Sequence, residues 1–191
     1  MIRPTEPIVA VALPAVVGER EIFSSPWVSL VEKNVDWGPP LGCENYYSLR
    51  QADYVVIFAR TQSGLIPMVR QYRPAVEGFT LELPSGMIEA NESPEACARR
   101  ELKEETGLDT LSSRYLGAYI PDTGRLPNTL HVVEIVTVDP PQVLKHELGI
   151  QVSFMTLAEL KNKIREGAFR HMLHIGVLTV FDLMAESIGG T

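Results

Sequence analysis

The order of elements predicts a mixed α/β fold of the α+β kind, and three observations predict it. Short runs rich in β-branched and aromatic residues recur from residue 27 to residue 155, bounded by glycine and proline turns. A few helical stretches are set among them without the regular strand–helix alternation of a doubly wound sheet. The chain has 191 residues, 45% hydrophobic and 21% charged, which is ordinary for a globular protein able to bury a sizeable core.

Taken in order, residues 1–20 are rich in proline and valine and are expected to be irregular or a loose edge. Residues 27–35 and 46–50 are expected to form a hairpin about the turn-rich run 38–42. Residues 54–59 are an apolar, β-branched strand, and residues 64–70 follow a turn at 61–64 as its expected hairpin partner. Residues 80–83 form a short strand stopped by Pro84, Ser85 and Gly86. The clearest helix starts at Ser93, a good N-cap, with Pro94 in its first turn and Glu95 at its positive end. It runs to Glu105 or Thr106, where Gly107 supplies the stop. Residues 115–120, 131–138 and 152–155 are strands, and 157–166 and 172–185 are helices. The chain divides into an N-terminal strand region, residues 1–50, and a larger domain, residues 51–191.

Charge narrows the function classes. A formal net charge of −7, with no dense Lys/Arg tract, offers no footprint for a nucleic-acid backbone. It would also repel a phosphorylated substrate unless bound cations reversed the local field. Two widely separated cysteines, Cys43 and Cys97, form no disulfide framework and suit reduced thiols in a cytoplasm. Residues 8–17 are apolar but short, broken by Pro14 and preceded by Glu6 as well as Arg3, so no targeting signal is expected there. No stretch approaches the roughly 20 apolar residues that span a bilayer.

The informative segment is residues 86–108. On its helix Glu101, Glu104 and Glu105 fall within an arc of about 100°. Ala98 and Leu102 occupy the neighbouring arc, so the three carboxylates stand at the rim of the apolar stripe. Crowded carboxylates repel one another and are tolerable where a hard cation binds through oxygen. The plainer alternative is a solvated acidic face with i,i+4 partners, Arg99 and Lys103 lying on the more exposed side. Gly86, just before this unit, allows either a tight backbone approach or a positive φ.

Spacing decides between these readings. Gly86, five residues, Glu92, seven residues, then Arg100-Glu101-Leu102, Glu104-Glu105 and Gly107-Leu108 resembles the Nudix box at every specified position. Such a match arises by chance with a probability on the order of 10⁻⁷ at average residue frequencies. The resemblance implies a Nudix fold, a mixed sheet sandwiched between helices, with the box as a loop–helix–loop that holds Mg²⁺ or Mn²⁺, more than one ion. By the same resemblance Glu101 and Glu105 are metal ligands, Glu104 a ligand or its close neighbour, and the Ser85 carbonyl a further ligand. Arg100 orients a box glutamate, and Glu92 is structural.

Beyond the box, residues 69–76 (V-R-Q-Y-R-P-A-V) and 81–86 (L-E-L-P-S-G) resemble the ADP-ribose pyrophosphatase branch. The likeness covers roughly residues 25–170 and is strongest from 54 to 108. It implies substrate-binding or framing roles for Arg73 and Glu82, Arg73 being equally readable as half of a structural salt bridge. It also implies a homodimer, with the N-terminal strands reaching to the partner and an aromatic there stacking on the base. Trp27 is the first candidate, with Tyr46 or Tyr47 behind it. Two departures stand out. The branch's proline after the box is displaced to Pro121 or Pro127, which puts Arg125 or Asn128 near substrate. The acid-rich late loop is reduced to Glu147, the candidate general base. Glu105, Glu104, Glu147 and Arg100 are thus the expected catalytic set. His146 is expected to be solvated, and His171 and His174, with no third ligand visible in the sequence, structural.

The expected reaction is metal-dependent hydrolysis of ADP-ribose to AMP and ribose 5-phosphate, in the cytoplasm, without nucleic acid or membrane. GDP-mannose, other nucleoside diphosphate derivatives and nucleoside triphosphates are alternative substrates. A nucleotide sensor without turnover is the alternative of a different class, and the intact carboxylate set argues against it.

Overall fold

The computed structural model describes residues 13–189, so residues 1–12, including the first half of the apolar run 8–17, lie outside it. The chain forms two units by proximity: residues up to Gln51 together with Asp122–Pro127, and Ala52–Pro121 together with Asn128 onward.

In the first unit, β1 (Ala15–Ser24), β2 (Ser29–Asp36) and β3 (Cys43–Arg50) form an antiparallel sheet in the order β1-β2-β3. The expected hairpin is β2–β3. Its turn is closed by the Asp36 carboxylate, which accepts from Gly38 N, and by Gly38 and Gly42 at positive φ. Residues 15–20, expected to be irregular or a loose edge, belong to β1, an edge strand exposed along its whole length and bulged twice against β2. Residues 122–127 join this unit through Leu49 N, which donates to the Arg125 carbonyl.

The second unit holds two sheets. One runs β7 (Ser85–Met87), β4 (Tyr54–Thr61), β9 (Leu130–Thr137), β8 (Thr110–Tyr119); the other runs β10 (Gln151–Met155), β5 (Ile66–Arg73), β6 (Gly78–Glu82). The strand β4 lies parallel to β9. Both faces of β4 are covered, which is why residues 55–59 are apolar without alternation. Val55, Ile57 and Ala59 pack with Val133 and Ile135 against Cys97, Ala98 and Leu102 of helix α1 (Pro94–Thr106). Val56 and Phe58 face the other way, toward Ile66 and Met68, Leu160 of α2 (Leu157–Arg165), and Val177 and Phe181 of α3 (Met172–Gly189). Truncating a buried leucine such as Leu102 costs about 2–5 kcal/mol.

One pairing departs from expectation. The strand β5 is not the ladder partner of β4; it pairs with β6 and β10. Both edges of β4 are taken, by β7 and β9, so after the tight turn at Thr61–Leu65 the chain crosses to the second sheet. The helix α1 begins and ends as its caps dictate: Ser93 Oγ accepts from Ala96 N, and Gly107 closes the helix at φ 74°. For α2, Thr156 and Glu159 form a reciprocal capping box.

Candidate active site

The site is organised where the chain leaves one sheet for the other. The last ladder pair of β6 is Glu82 with Val69, and β7 starts at Ser85 opposite Val56. Between them each backbone group has a different holder. Leu83 N donates to His174 Nδ1 on α3 at 3.0 Å, and the Pro84 carbonyl accepts from Ile57 N on β4 at 2.9 Å. Ser85 N donates to Glu105 Oε2 on α1 at 3.0 Å.

The carboxylates of α1 meet this crossover. Gly86 is a close approach, and its φ is not positive: a Cβ there would lie 1.9 Å from Glu101 Cδ. Arg100 is the hub of the acidic cluster. Its Nε and Nη2 fork onto Glu92, both at 2.9 Å, while Nη1 donates to Glu101 at 2.7 Å and Glu104 at 3.2 Å. The Arg100 fork holds Glu92 down at about 2. Among the described residues Glu105 has no such partner. It is 5% exposed, and burial, reinforced by Glu101 and Glu147, pushes its carboxyl up to about 8 against the Ser85 N–H bond and the Arg73 charge. Burial also raises Glu101, although Arg100 opposes it. Cys97 lies beneath, its thiol pushed up to about 12 by burial and by Glu92 and Glu101, so it is no nucleophile.

The loop before β10 folds over the end of α1. Glu147 N donates to the Glu104 carbonyl at 2.9 Å, and the Lys145 carbonyl lies so near Gly107 that a Cβ there would come within 2.4 Å of it. Glu147 itself is exposed, and its charge reaches Glu105. His146 is exposed beside it, its Nδ1 on the Glu147 carbonyl.

Arg73 grips Glu82 through Nε at 2.9 Å and Nη2 at 2.7 Å, and Thr80 Oγ1 adds a third donor at 2.5 Å. Glu82 is 1% exposed. Burial alone would raise it, but these bonds outweigh burial and hold it at about 2. His171, which precedes α3, stacks on His174 at 3.8 Å, and the ligating atoms of Glu82, His171 and His174 lie within 4.8 Å of one another. So Glu82 is a third group beside the two histidines. The three do not fit a metal: Leu83 N–H occupies the Nδ1 lone pair of His174, which places its ring proton on Nε2, and Arg73 covers both Glu82 oxygens. A cavity of about 750 Å³ adjoins this network, lined in part by Phe79, Thr80, Leu81, Arg170, His171 and Met172.

The remaining candidates belong to the first unit. Trp27 is 70% exposed, the Tyr46 hydroxyl donates to the Gly124 carbonyl, and Arg125 lies in the 122–127 segment. Tyr47 donates to Glu32 at 2.8 Å. Asn128 belongs to the second unit and spends its amide on the Ala52 carbonyl. Two participants carry no motif: Thr80, whose only sequence signal is its place two residues before Glu82 on one strand face, and His174, 91 residues from the amide it holds.

Comparison with known proteins gives a consistent picture. A family model described as NUDIX domain matches residues 49–174. An ADP-ribose pyrophosphatase of Bacillus subtilis (strain 168) is 27% identical over 146 residues, 75% of this chain and 78% of that protein. An ADP-sugar pyrophosphatase of Mus musculus is 39% identical over 90 residues, 45% of this chain and 41% of that protein, so the chain spans less than half of the mouse relative. A solved structure described as an ADP compounds hydrolase superposes with a TM-score of 0.78 at 16% identity, covering 96% of this chain and 100% of that one, a likeness of fold.

Proposed function

The chain belongs to the Nudix family of pyrophosphate hydrolases, and from that premise we propose that it cleaves ADP-ribose, with divalent cations, into AMP and ribose 5-phosphate. The observation that carries the reading is the carboxylate shelf at the sheet crossover, where Glu105 is buried without a cationic partner of its own. The likeness to ADP-ribose and ADP-sugar pyrophosphatases supports the choice of substrate.

The residues present suit Mg²⁺ or Mn²⁺. Glu101, Glu104, Glu105 and the Ser85 carbonyl offer hard oxygen donors, and the space that a Cβ at Gly86 would fill is given to Glu101 instead. Burial raises the Glu105 carboxyl to about 8 and outweighs the Arg73 charge, so added positive charge at the shelf would favour its ionised, ligating form. When bound, such ions neutralise the pyrophosphate oxygens and make water a stronger nucleophile. Arg100 holds Glu101 and Glu104 in place through Nη1. Arg73 gives Nε and Nη2 to Glu82, and its charge binds the substrate's phosphates. Glu147, anchored to α1 by its own amide, takes the proton of the attacking water. Trp27 stacks on the base with Tyr46 behind it, Arg125 contributes to the substrate site, and the residue 1–50 strands act as the arm of a homodimer. The protein works in the cytoplasm on soluble nucleotides; among the described residues no helix is long and apolar enough to cross a membrane.

The test is a product assay over ADP-ribose, GDP-mannose, UDP-glucose, diadenosine polyphosphates, NADH and nucleoside triphosphates, each with Mg²⁺, Mn²⁺ or EDTA. AMP released from ADP-ribose and abolished by EDTA is the expected result. Preferred cleavage of another member overturns the substrate, and tight binding without turnover turns the reading to a sensor.

A further inference from the structure

We propose that His174, far from the box in sequence, is a positioning residue that fixes the backbone crossover at residues 83–85 and through it the metal shelf. The proposal rests on the metal-dependent reading above.

The ladder between β5 and β6 ends at Glu82, so Leu83 N–H has no strand partner. Leu83 is fully buried, so bulk solvent does not reach that N–H. Pro84 has no N–H to offer. The His174 ring supplies the missing acceptor at 3.0 Å. It is held against rotation by burial and by the stacked His171 ring. Burial also keeps it neutral down to about 3, so the Nδ1 lone pair persists at any working pH. Only two residues on, Ser85 N meets Glu105 Oε2, and Gly86 makes room for Glu101. With Pro84 O tied to Ile57, three elements hold three successive residues, and α3 is the one that sets where the crossover begins. An error at Leu83 is therefore carried directly into Ser85 and Glu105.

The test compares His174→Leu and His174→Phe, which fill the space without an acceptor, with His174→Asn, whose Oδ1 can stand where Nδ1 stood. Phe181→Leu, on the same helix but packed on Phe58, controls for general loss of stability. The readouts are Mn²⁺ affinity by electron paramagnetic resonance, exchange of the Leu83 amide, and the thermal midpoint. His174→Leu and His174→Phe should weaken Mn²⁺ binding about tenfold or more and expose the Leu83 amide, as loss of a supporting partner does at metal sites. His174→Asn should recover most of the affinity, and Phe181→Leu should lower the midpoint while leaving affinity unchanged. Wild-type Mn²⁺ affinity in a folded His174→Leu or His174→Phe protein overturns the proposal alone, as does equal weakening by Phe181→Leu. A wild-type protein that binds no Mn²⁺ overturns the metal reading and this proposal together.

Discussion

The main chain at Gly86 runs against the carboxylate of Glu101 so closely that the two leave no room for a single methyl group. The obstructing atoms are the end of a flexible side chain, so Gly86→Ala should fold, with a thermal midpoint within a few degrees of wild type. The displaced carboxylate should lose its place on the shelf, and Mn²⁺ affinity should fall at least tenfold. Titration calorimetry on the folded variant reads this directly; unchanged affinity would remove Glu101 from the ligand set.

Glu105 predicts an unusual pH dependence. Its folded value, about 8, lies above the ordinary 4.5, so between those values the folded protein keeps a proton that the unfolded chain has released. Stability of the metal-free protein should therefore fall as pH rises through that window, by an amount on the order of a few kcal/mol. Glu105→Gln should flatten the fall and raise metal-free stability at pH 8, while removing metal-dependent turnover. Denaturant melts across the window, with and without Mg²⁺, check both parts.

Glu82 has the opposite sign. Its value of about 2 lies below 4.5, so its contribution is present above 4.5 and lost as pH falls toward 2. Arg73→Ala leaves this buried carboxylate uncompensated and should cost about 3 kcal/mol, the low end of the range because Arg73 is partly exposed. Replacing both residues together, Arg73→Met with Glu82→Leu, should recover part of the stability but none of the turnover. A double-variant cycle by urea unfolding measures the coupling.

Glu147 is anchored by its backbone, so Glu147→Gln changes the carboxylate without releasing the loop. The turnover number should fall by about 10²–10³, with substrate affinity within about twofold of wild type. An unaltered rate would move the general base elsewhere.

Several of these relationships were legible from the sequence because they are local. The Ser93 and Gly107 caps fix the ends of α1, and 3.6-residue periodicity alone puts Glu101, Glu104 and Glu105 beside Ala98 and Leu102. The Arg100 fork onto Glu92 spans eight residues of one loop–helix unit, and the box pattern encodes it. The covered faces of β4 are written in its unbroken apolar run. The partner of β5 was not legible: a short turn after β4 suits a hairpin, and only the occupation of both β4 edges by β7 and β9 sends the chain to the other sheet.

What the sequence determined by itself was the family, the acidic helix face and where most of the longer strands and helices lie along the chain, since each depends on spacing within a few turns or on the composition of one short run. What the tertiary structure decided was the state of each group. Glu82 and Glu105 are both buried glutamates, yet one is held at about 2 and the other raised to about 8. Burial raises both; at Glu82 the bonds from Arg73 and Thr80 outweigh it, while at Glu105 burial prevails over the Ser85 N–H and the Arg73 charge, with Glu101 and Glu147 adding to the rise. Likewise His174 finds Leu83 across 91 residues because α3 closes over the sheet crossover. Such pairings are set by packing between elements, and no periodicity along the chain carries them.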